Sequence, residues 1–166
     1  MSMEHDETIL SGHTREEIDR WRGKFPEGRQ RSAVIAALHA AQHQNDGYLT
    51  RELMEAVANY LDVPAIQVFE VAAFYSMLET KPCGRHSISV CTNISCMLRG
   101  GESVLQHVEQ RLGIKVGEST PDGKFHLKKE EECLAACTGA PMMMVDHKYY
   151  ENLTPVVIDE ILDAVE

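Results

Sequence analysis

Apolar residues recur every three or four positions through the first half of the chain, as expected for helices that bury one face. The period is clear in three stretches, residues 29–45, 50–61 and 64–75. The stripe of the first stretch contains Val34, Ile35, Leu38 and either Ala41 or Gln42. The last stretch is apolar nearly all round, so we expect neighbouring helices or another subunit to cover it. The pattern predicts a helical bundle.

Short polar signals mark where these helices begin and end. Thr14-Arg-Glu-Glu17 fits a capping box, which predicts a further helix beginning at Thr14. Thr50 is expected to cap the third helix, and Pro64 to occupy the first turn of the fourth. Gly47 is expected to close the second helix in a left-handed conformation. Residues 1–13 lack any period and are predicted to form a flexible tail.

The pattern changes at Lys81-Pro82-Cys83-Gly84, the predicted boundary between a helical domain, 14–80, and a second domain, 81–166. Residues 86–90 then alternate between polar and apolar, as a half-buried strand does. The later predicted elements are a helix after Gly100-Gly101, a strand from Lys124 to Lys129, a hairpin from Met142 to Glu151 and a helix after Thr154. This order is typical of a thioredoxin-like domain. The predicted fold class is α/β, with an N-terminal helical bundle followed by that domain.

The formal net charge of −10 excludes partners that carry dense negative charge. Nucleic acid and an anionic membrane surface both need a basic footprint on the protein. No apolar run reaches the length of a membrane span, and the acidic first residues resemble neither a signal peptide nor a transit peptide. We therefore expect a protein of the bacterial cytoplasm. Thiols stay reduced there, and grouped cysteines bind metal or act in redox chemistry.

Four of the five cysteines form two spaced pairs, Cys91-x4-Cys96 and Cys133-x3-Cys137. Each pair is expected in a loop at a strand end, where open α/β sheets place their sites. Zinc ribbons favour shorter gaps, and a thioredoxin-type dithiol needs Cys-x-x-Cys, which is absent. A binuclear cluster gives each iron two thiolates and accepts wider gaps. The spacing favours one 2Fe-2S cluster and leaves structural zinc, redox-active thiols and merely structural thiols as alternatives.

Other residues carry weaker metal-binding patterns. His39 and His43 lie four apart on one helix, but without a third ligand they are interpreted as solvated or capping histidines. The run Met142-Met143-Met144 is interpreted as a core strand, and Cys83 as a small buried or turn residue. Pro141 precedes the hairpin, where thioredoxin-like folds often have a cis-proline.

Several short motifs follow one another in a characteristic order. They are Phe74-Tyr-Ser-Met77, Pro82-Cys-Gly-Arg85, Val90-Cys-Thr-Asn-x-x-Cys96, Glu132-Cys-Leu-x-Ala-Cys137, Ala140-Pro-Met142 and Leu153-Thr-Pro155. Together they resemble the E subunit of NADH:quinone oxidoreductase, respiratory complex I, a thioredoxin-like 2Fe-2S ferredoxin family. The resemblance runs from about Phe25 to the C-terminus and so covers nearly the whole chain.

The resemblance implies that one 2Fe-2S cluster is held by Cys91, Cys96, Cys133 and Cys137. It also implies one-electron exchange with FMN in a partner subunit that oxidises NADH, beside a neighbouring iron-sulfur subunit. No catalytic acid or base is required on this chain, which would be a cytoplasmic, peripheral part of a membrane-bound complex. The equivalent diaphorase subunit of an NAD-linked hydrogenase or formate dehydrogenase is an alternative. A non-redox module with structural zinc is an alternative of another class.

Two features near the second cysteine pair bear on the environment of the site. Ala135 stands where the family commonly has Gly, and Thr138-Gly139 replaces a frequently polar pair, but neither change removes a ligand. Glu130, Glu131 and Glu132 precede Cys133 and would disfavour reduction if they face the cluster. Neutralising these three carboxylates is predicted to raise the midpoint potential.

Overall fold

The computed structural model of the chain describes residues 9–128 and 133–165. Contacts within the chain divide it into two compact units, Met1–Pro82 and Cys83–Glu166. Among the described helices, none is both long and apolar enough to cross a membrane.

The first unit is helical, as the periodicity predicted. Its helices are α1 (Gly12–Arg22), α2 (Val34–Gln44), α3 (Arg51–Tyr60) and α4 (Ala65–Phe74), and a 3-10 turn (Gln30–Ala33) precedes α2. Their apolar faces share one core, whose fully buried members include Ile18, Leu38, Val57 and Val68. Helices that each bury one stripe are stabilised chiefly by this shared core.

Most of the predicted helix boundaries are confirmed. The Thr50 hydroxyl accepts a hydrogen bond from the N–H of Leu53, so Thr50 caps α3. Gly47 has a φ of 89°, and its N–H donates to the Gln42 carbonyl, which closes α2. Pro64 occupies the N-cap position of α4, one residue before the predicted place.

The predicted capping box at Thr14 is wrong. Ser11 is the N-cap of α1, and its hydroxyl accepts a hydrogen bond from the N–H of Thr14 at 3.1 Å. Thr14 lies inside the helix and is only 2% exposed, because its hydroxyl donates to the side-chain oxygen of Gln44 at 2.8 Å. A contact with a residue on α2 therefore replaces the local cap.

The predicted flexible tail is too long. Leu10 belongs to the core of the first unit, and α1 begins two residues later, so residues 9–13 are part of the fold. Residues 1–8, the rest of the predicted tail, lie outside the described residues.

Two helix faces are more exposed than predicted. Ile35 was placed in the buried stripe of α2, yet 37% of it is exposed. On α4 only Val68 and Ala72 are buried, whereas Ile66 and Phe74 are 61% and 79% exposed. The chain's own first unit therefore covers only one face of this apolar helix.

The second unit contains the sheet. Its elements are β1 (His86–Val90), α5 (Ile94–Leu98), α6 (Gly101–Leu112), β2 (Phe125–Leu127), a 3-10 turn (Cys137–Gly139), β3 (Met143–Val145), β4 (Lys148–Tyr150) and α7 (Pro155–Ala164). The strand order is β2-β1-β3-β4; β1 and β2 are parallel, and the other two pairs are antiparallel. A parallel pair joined through helices, then a hairpin and a last helix, is the predicted thioredoxin-like layout.

The core of this unit lies between the sheet and helices α6 and α7. Ile88 on β1 pairs with Leu127 on β2 and Val145 on β3, and it is fully buried. The same core includes Val104, Val108, Ile158 and Leu162 from the two helices. β1 is thus an interior strand, and whatever follows its C-terminal end is held in a fixed place.

Candidate metal centre

The two cysteine pairs follow the ends of neighbouring parallel strands. Cys91 comes directly after β1, and Cys133 lies beyond the end of β2, which runs parallel to β1. The carboxyl ends of parallel strands meet at one edge of a sheet, so both loops begin there. The backbone N–H of Cys91 also donates to the carbonyl of Met142 at 3.1 Å, which joins the first loop to the segment that follows Cys137.

Cys96 lies in α5, and not in the turn that the sequence predicted. Asn93 is the N-cap of this short helix, because its side-chain oxygen accepts a hydrogen bond from the N–H of Ile94 at 2.8 Å. The Asn93 carbonyl accepts a second bond from the N–H of Met97 at 2.8 Å. The cap starts the helix immediately after the strand, and Cys96 is turned inwards with only 1% exposed.

The loop of the second pair is fastened by the segment after β4. Cys137 begins the 3-10 turn, and the peptide bond between Ala140 and Pro141 is cis. The carbonyl of Gly139 accepts a hydrogen bond from the N–H of Asn152 at 2.7 Å. The carbonyl of Pro141 accepts one from the N–H of Leu153 at 3.0 Å. The backbone leading from Cys137 into β3 is therefore held on its far side.

Hydrogen bonds stabilise the thiolate of Cys91. Burial by itself would raise the pKa of this thiol, but the backbone N–H groups of Leu134 and Asn93 donate to its sulfur. The thiols of Cys96 and Cys133 also hydrogen-bond to it, and together these bonds hold the pKa of Cys91 below its ordinary value.

The neighbouring thiol is shifted in the opposite direction. Burial, the hydrogen bond with Cys91 and the negative charges of Cys91 and Cys137 raise the pKa of Cys96 to about 11. The backbone N–H of Met142 donates to the Cys96 sulfur and opposes this rise. Each of the four sulfurs thus interacts with at least one other. The structure brings all four cysteines together, while their role as ligands stays a prediction.

The site is buried on one side and open on the other. Cys91 and Cys96 are 3% and 1% exposed, and they share a small apolar cluster with Leu134, Ala140 and Met142. Cys133 and Cys137 are exposed. Apolar packing keeps water from the inner pair, whereas a partner can approach the outer pair.

Gly101 is a site residue that sequence reasoning missed. A Cβ atom at this position would lie 2.8 Å from the carbonyl oxygen of Cys91 and 2.9 Å from the carbonyl carbon and oxygen of Cys96. These are backbone atoms, which cannot move aside without displacing the cysteines themselves. The Gly100-Gly101 pair was the available signal, but it was interpreted only as the approach to a helix.

Ala135, in the loop between Cys133 and Cys137, has a φ of 58°. This left-handed conformation is strained for any residue with a Cβ atom and is free for glycine. The structure therefore gives a physical reason for the glycine that the family commonly has here. Glu130, Glu131 and Glu132, whose orientation was left open by the sequence, lie outside the described residues.

The donor set fits a binuclear iron-sulfur cluster better than a single ion. Within residues 9–128 and 133–165, no three His, Cys, Asp or Glu side chains form a group that could hold one metal ion. A binuclear cluster asks for two thiolates at each iron and not for four that converge on one point. Buried sulfurs that accept backbone N–H bonds are also typical of iron-sulfur sites.

The other candidate residues lie away from this centre. Cys83 is half-buried and precedes β1, so a five-residue strand, roughly 16 Å long, lies between it and Cys91. Met142 and Met143 are buried in the core, as interpreted. On α2, the ring centroids of His39 and His43 are 6.4 Å apart. Nε2 of His39 lies 3.1 Å from the sulfur of Met77, in the first unit.

Comparison with known proteins agrees with this arrangement. The model of the thioredoxin-like [2Fe-2S] ferredoxin family matches residues 18–166. The chain belongs to this family. It is 44% identical over 142 residues to the E subunit of NADH-quinone oxidoreductase from Rickettsia bellii (strain RML369-C), covering 86% of this chain and 84% of the relative. It is 43% identical over 150 residues to the E subunit numbered 2 of the same enzyme from Rhizobium meliloti (strain 1021), covering 90% and 87%. The family resemblance drawn from the motifs is confirmed.

The fold also resembles a solved structure. A chain of the NAD+-reducing [NiFe]-hydrogenase in the air-oxidized state superposes with a TM-score of 0.67 at 20% sequence identity. The superposition covers 84% of this chain but only 24% of the hydrogenase chain, which is much longer. At this identity the likeness supports the fold alone, and it confirms the predicted fold class.

Proposed function

We propose that the chain is the electron-transfer subunit of an NADH:quinone oxidoreductase. Cys91, Cys96, Cys133 and Cys137 would hold one 2Fe-2S cluster, which exchanges single electrons with FMN in an NADH-oxidising partner subunit. The observation that carries the proposal is the meeting of both thiol pairs at one sheet edge, in a chain of the thioredoxin-like [2Fe-2S] ferredoxin family. Relatives of nearly the same length are subunits of NADH-quinone oxidoreductase.

A bound 2Fe-2S cluster supplies one-electron redox chemistry without forming a bond to substrate. The chain itself sets the cost of adding the extra negative charge. The N–H groups of Leu134 and Asn93 at Cys91, and of Met142 at Cys96, point positive dipoles at sulfur and favour the reduced state. Burial of the two inner cysteines excludes water and opposes it. The balance of these effects sets the midpoint potential.

The site needs no proton donor or acceptor, because electron exchange breaks no covalent bond on this chain. The open side, with exposed Cys133 and Cys137, supports a role in exchange with another protein and not in binding a small substrate. In this proposal the chain is a peripheral subunit of a larger complex, next to the flavin-containing subunit and a further iron-sulfur subunit.

Electron transfer between purified proteins tests the proposal. The reduced chain is mixed with the oxidised flavin subunit, and the oxidised chain with the NADH-reduced flavin subunit, and the cluster signal is followed by freeze-quench EPR. We expect transfer in the direction that the two potentials favour. A mixture that forms a complex but exchanges no electrons in either direction would contradict the proposal. Co-purification of the native complex then separates a quinone-linked assembly from a hydrogenase or formate dehydrogenase.

A further inference from the structure

The two segments that carry the cysteines contain almost no charge. Residues 91–101 contain one charged side chain, Arg99, and residues 133–145 contain none, whereas a quarter of the whole chain is charged. The net charge of −10 is therefore carried elsewhere. The nearest acidic run along the sequence is Glu130–Glu132, which lies outside the described residues.

The same site has apolar side chains in contact with water. On α5, Ile94, Met97 and Leu98 are 68%, 47% and 77% exposed, while Cys96 between them is 1% exposed. A five-residue helix thus turns its cysteine inwards and three large apolar side chains outwards. Scattered exposed apolar residues are ordinary, but three on one short helix that also carries a site cysteine form a patch.

The position of this patch indicates what covers it. The inner side of Cys96 is already packed against Cys91, Leu134 and Met142, so a redox partner cannot approach from there. Electrons must therefore enter or leave by the outward side, where α5 and the exposed Cys133 lie. Cores of protein interfaces are depleted of charged residues and enriched in methionine, as this patch is.

We propose that the outward face of α5, formed by Ile94, Met97 and Leu98, is the anchor on which the flavin-bearing partner docks. The inference rests on the proposed function. It assigns the partner an uncharged, apolar counter-surface, although the acidity of the whole chain would suggest a basic one. Attachment at an apolar, uncharged contact depends weakly on ionic strength, because there is little charge to screen.

Matched charge insertions test this docking face. Leu98→Glu places a carboxylate in the proposed contact, and Val156→Glu adds the same charge at a residue of α7 that is equally exposed, at 66%. The dissociation constant for the full flavin subunit is measured by titration calorimetry. We expect Leu98→Glu to weaken binding by about tenfold or more and Val156→Glu to leave it unchanged. Over a roughly tenfold range of ionic strength, the unmodified chain should bind with less than about a threefold change.

Each outcome has a distinct meaning. Equal binding by the Leu98→Glu and Val156→Glu variants, or steep weakening with salt, overturns the docking face while leaving the cluster and its redox role intact. EPR of each reduced variant shows that the centre has assembled, since both side chains point to solvent. Failure of the unmodified chain to bind the flavin subunit or to exchange electrons with it would instead overturn the proposed function.

Discussion

Gly101 offers the sharpest test of how the centre is built, because it touches the site without being a ligand. It is the first residue of α6, and an added Cβ would meet the backbone of Cys91 at 2.8 Å and of Cys96 at 2.9 Å. These distances are shorter than real Cβ contacts, and the neighbours are main chain and not flexible side chains. The substitution Gly101→Ala must therefore shift one cysteine loop, or the start of α6, by a few tenths of an ångström.

The expected loss can be estimated from two opposing effects. Forcing a methyl group into a packed position typically costs about 1–3 kcal/mol. Replacing glycine by alanine in a helix returns up to about 1 kcal/mol, so the net destabilisation is roughly 1–2 kcal/mol. In a unit of this size such a loss lowers Tm by roughly 5–15 °C. Displacement of groups that support metal ligands commonly weakens metal binding by about 10–100-fold, so iron content should fall as well.

Gly12→Ala is the matched control. Gly12 is likewise the first residue of a helix, α1, but a Cβ there would have no atom within 4 Å. Differential scanning calorimetry and the iron content of the two variants, purified in parallel, provide the comparison. We expect Gly12→Ala to be neutral or slightly stabilising and to keep its full iron content. Equal Tm values and equal iron contents for the two variants would refute the claim that the close approach at Gly101 shapes the site.

Three further substitutions probe the loops. Asn93 has a φ of −67°, which suits proline, so Asn93→Pro should remove the N–H that donates to Cys91 without changing the backbone path. Losing about 1 kcal/mol of this bond should lower the midpoint potential by about 40 mV relative to Asn93→Ala in a redox titration. Ala135→Gly should stabilise by up to about 1 kcal/mol in thermal unfolding, whereas Ala135→Val should destabilise and lose iron. Cys137→Ser should reduce bound iron and sulfide, whereas Cys83→Ser should not.

Clear results would contradict each of these expectations. A potential that is the same for the proline and alanine variants of Asn93 would mean that its N–H does not stabilise the reduced state. If Ala135→Val kept its stability, the left-handed conformation of this residue would be in doubt. Loss of iron from Cys83→Ser, with full retention in Cys137→Ser, would contradict the proposed ligand set.

Elements with local signals were predicted well. Thr50 and Thr154 each cap a helix, with their hydroxyls accepting N–H bonds three residues later, and Gly113 closes α6 in the left-handed conformation. Each signal lies within a few residues of the boundary that it marks, so it can be recognised without knowing the rest of the fold. The alternation of β1 and the turn at Asp146 were readable for the same reason.

The errors occurred where a distant contact decides the outcome. Thr14 matches a local capping pattern, but its hydroxyl bonds to Gln44, thirty residues away, and Ser11 takes the cap. The tight packing of Gly101 against Cys91 depends on how two segments meet in space, which sequence spacing does not reveal. The pairing of cysteine loops was predictable because parallel strands end at one edge, whereas the N–H donors that tune the sulfurs were not.

EPR of the purified, chemically reduced chain tests the central claim most directly. The account predicts a signal from one unpaired electron per chain, in a coloured protein that contains two irons and two acid-labile sulfides for each chain. A colourless protein that contains zinc, with no acid-labile sulfide and no signal after reduction, would contradict it.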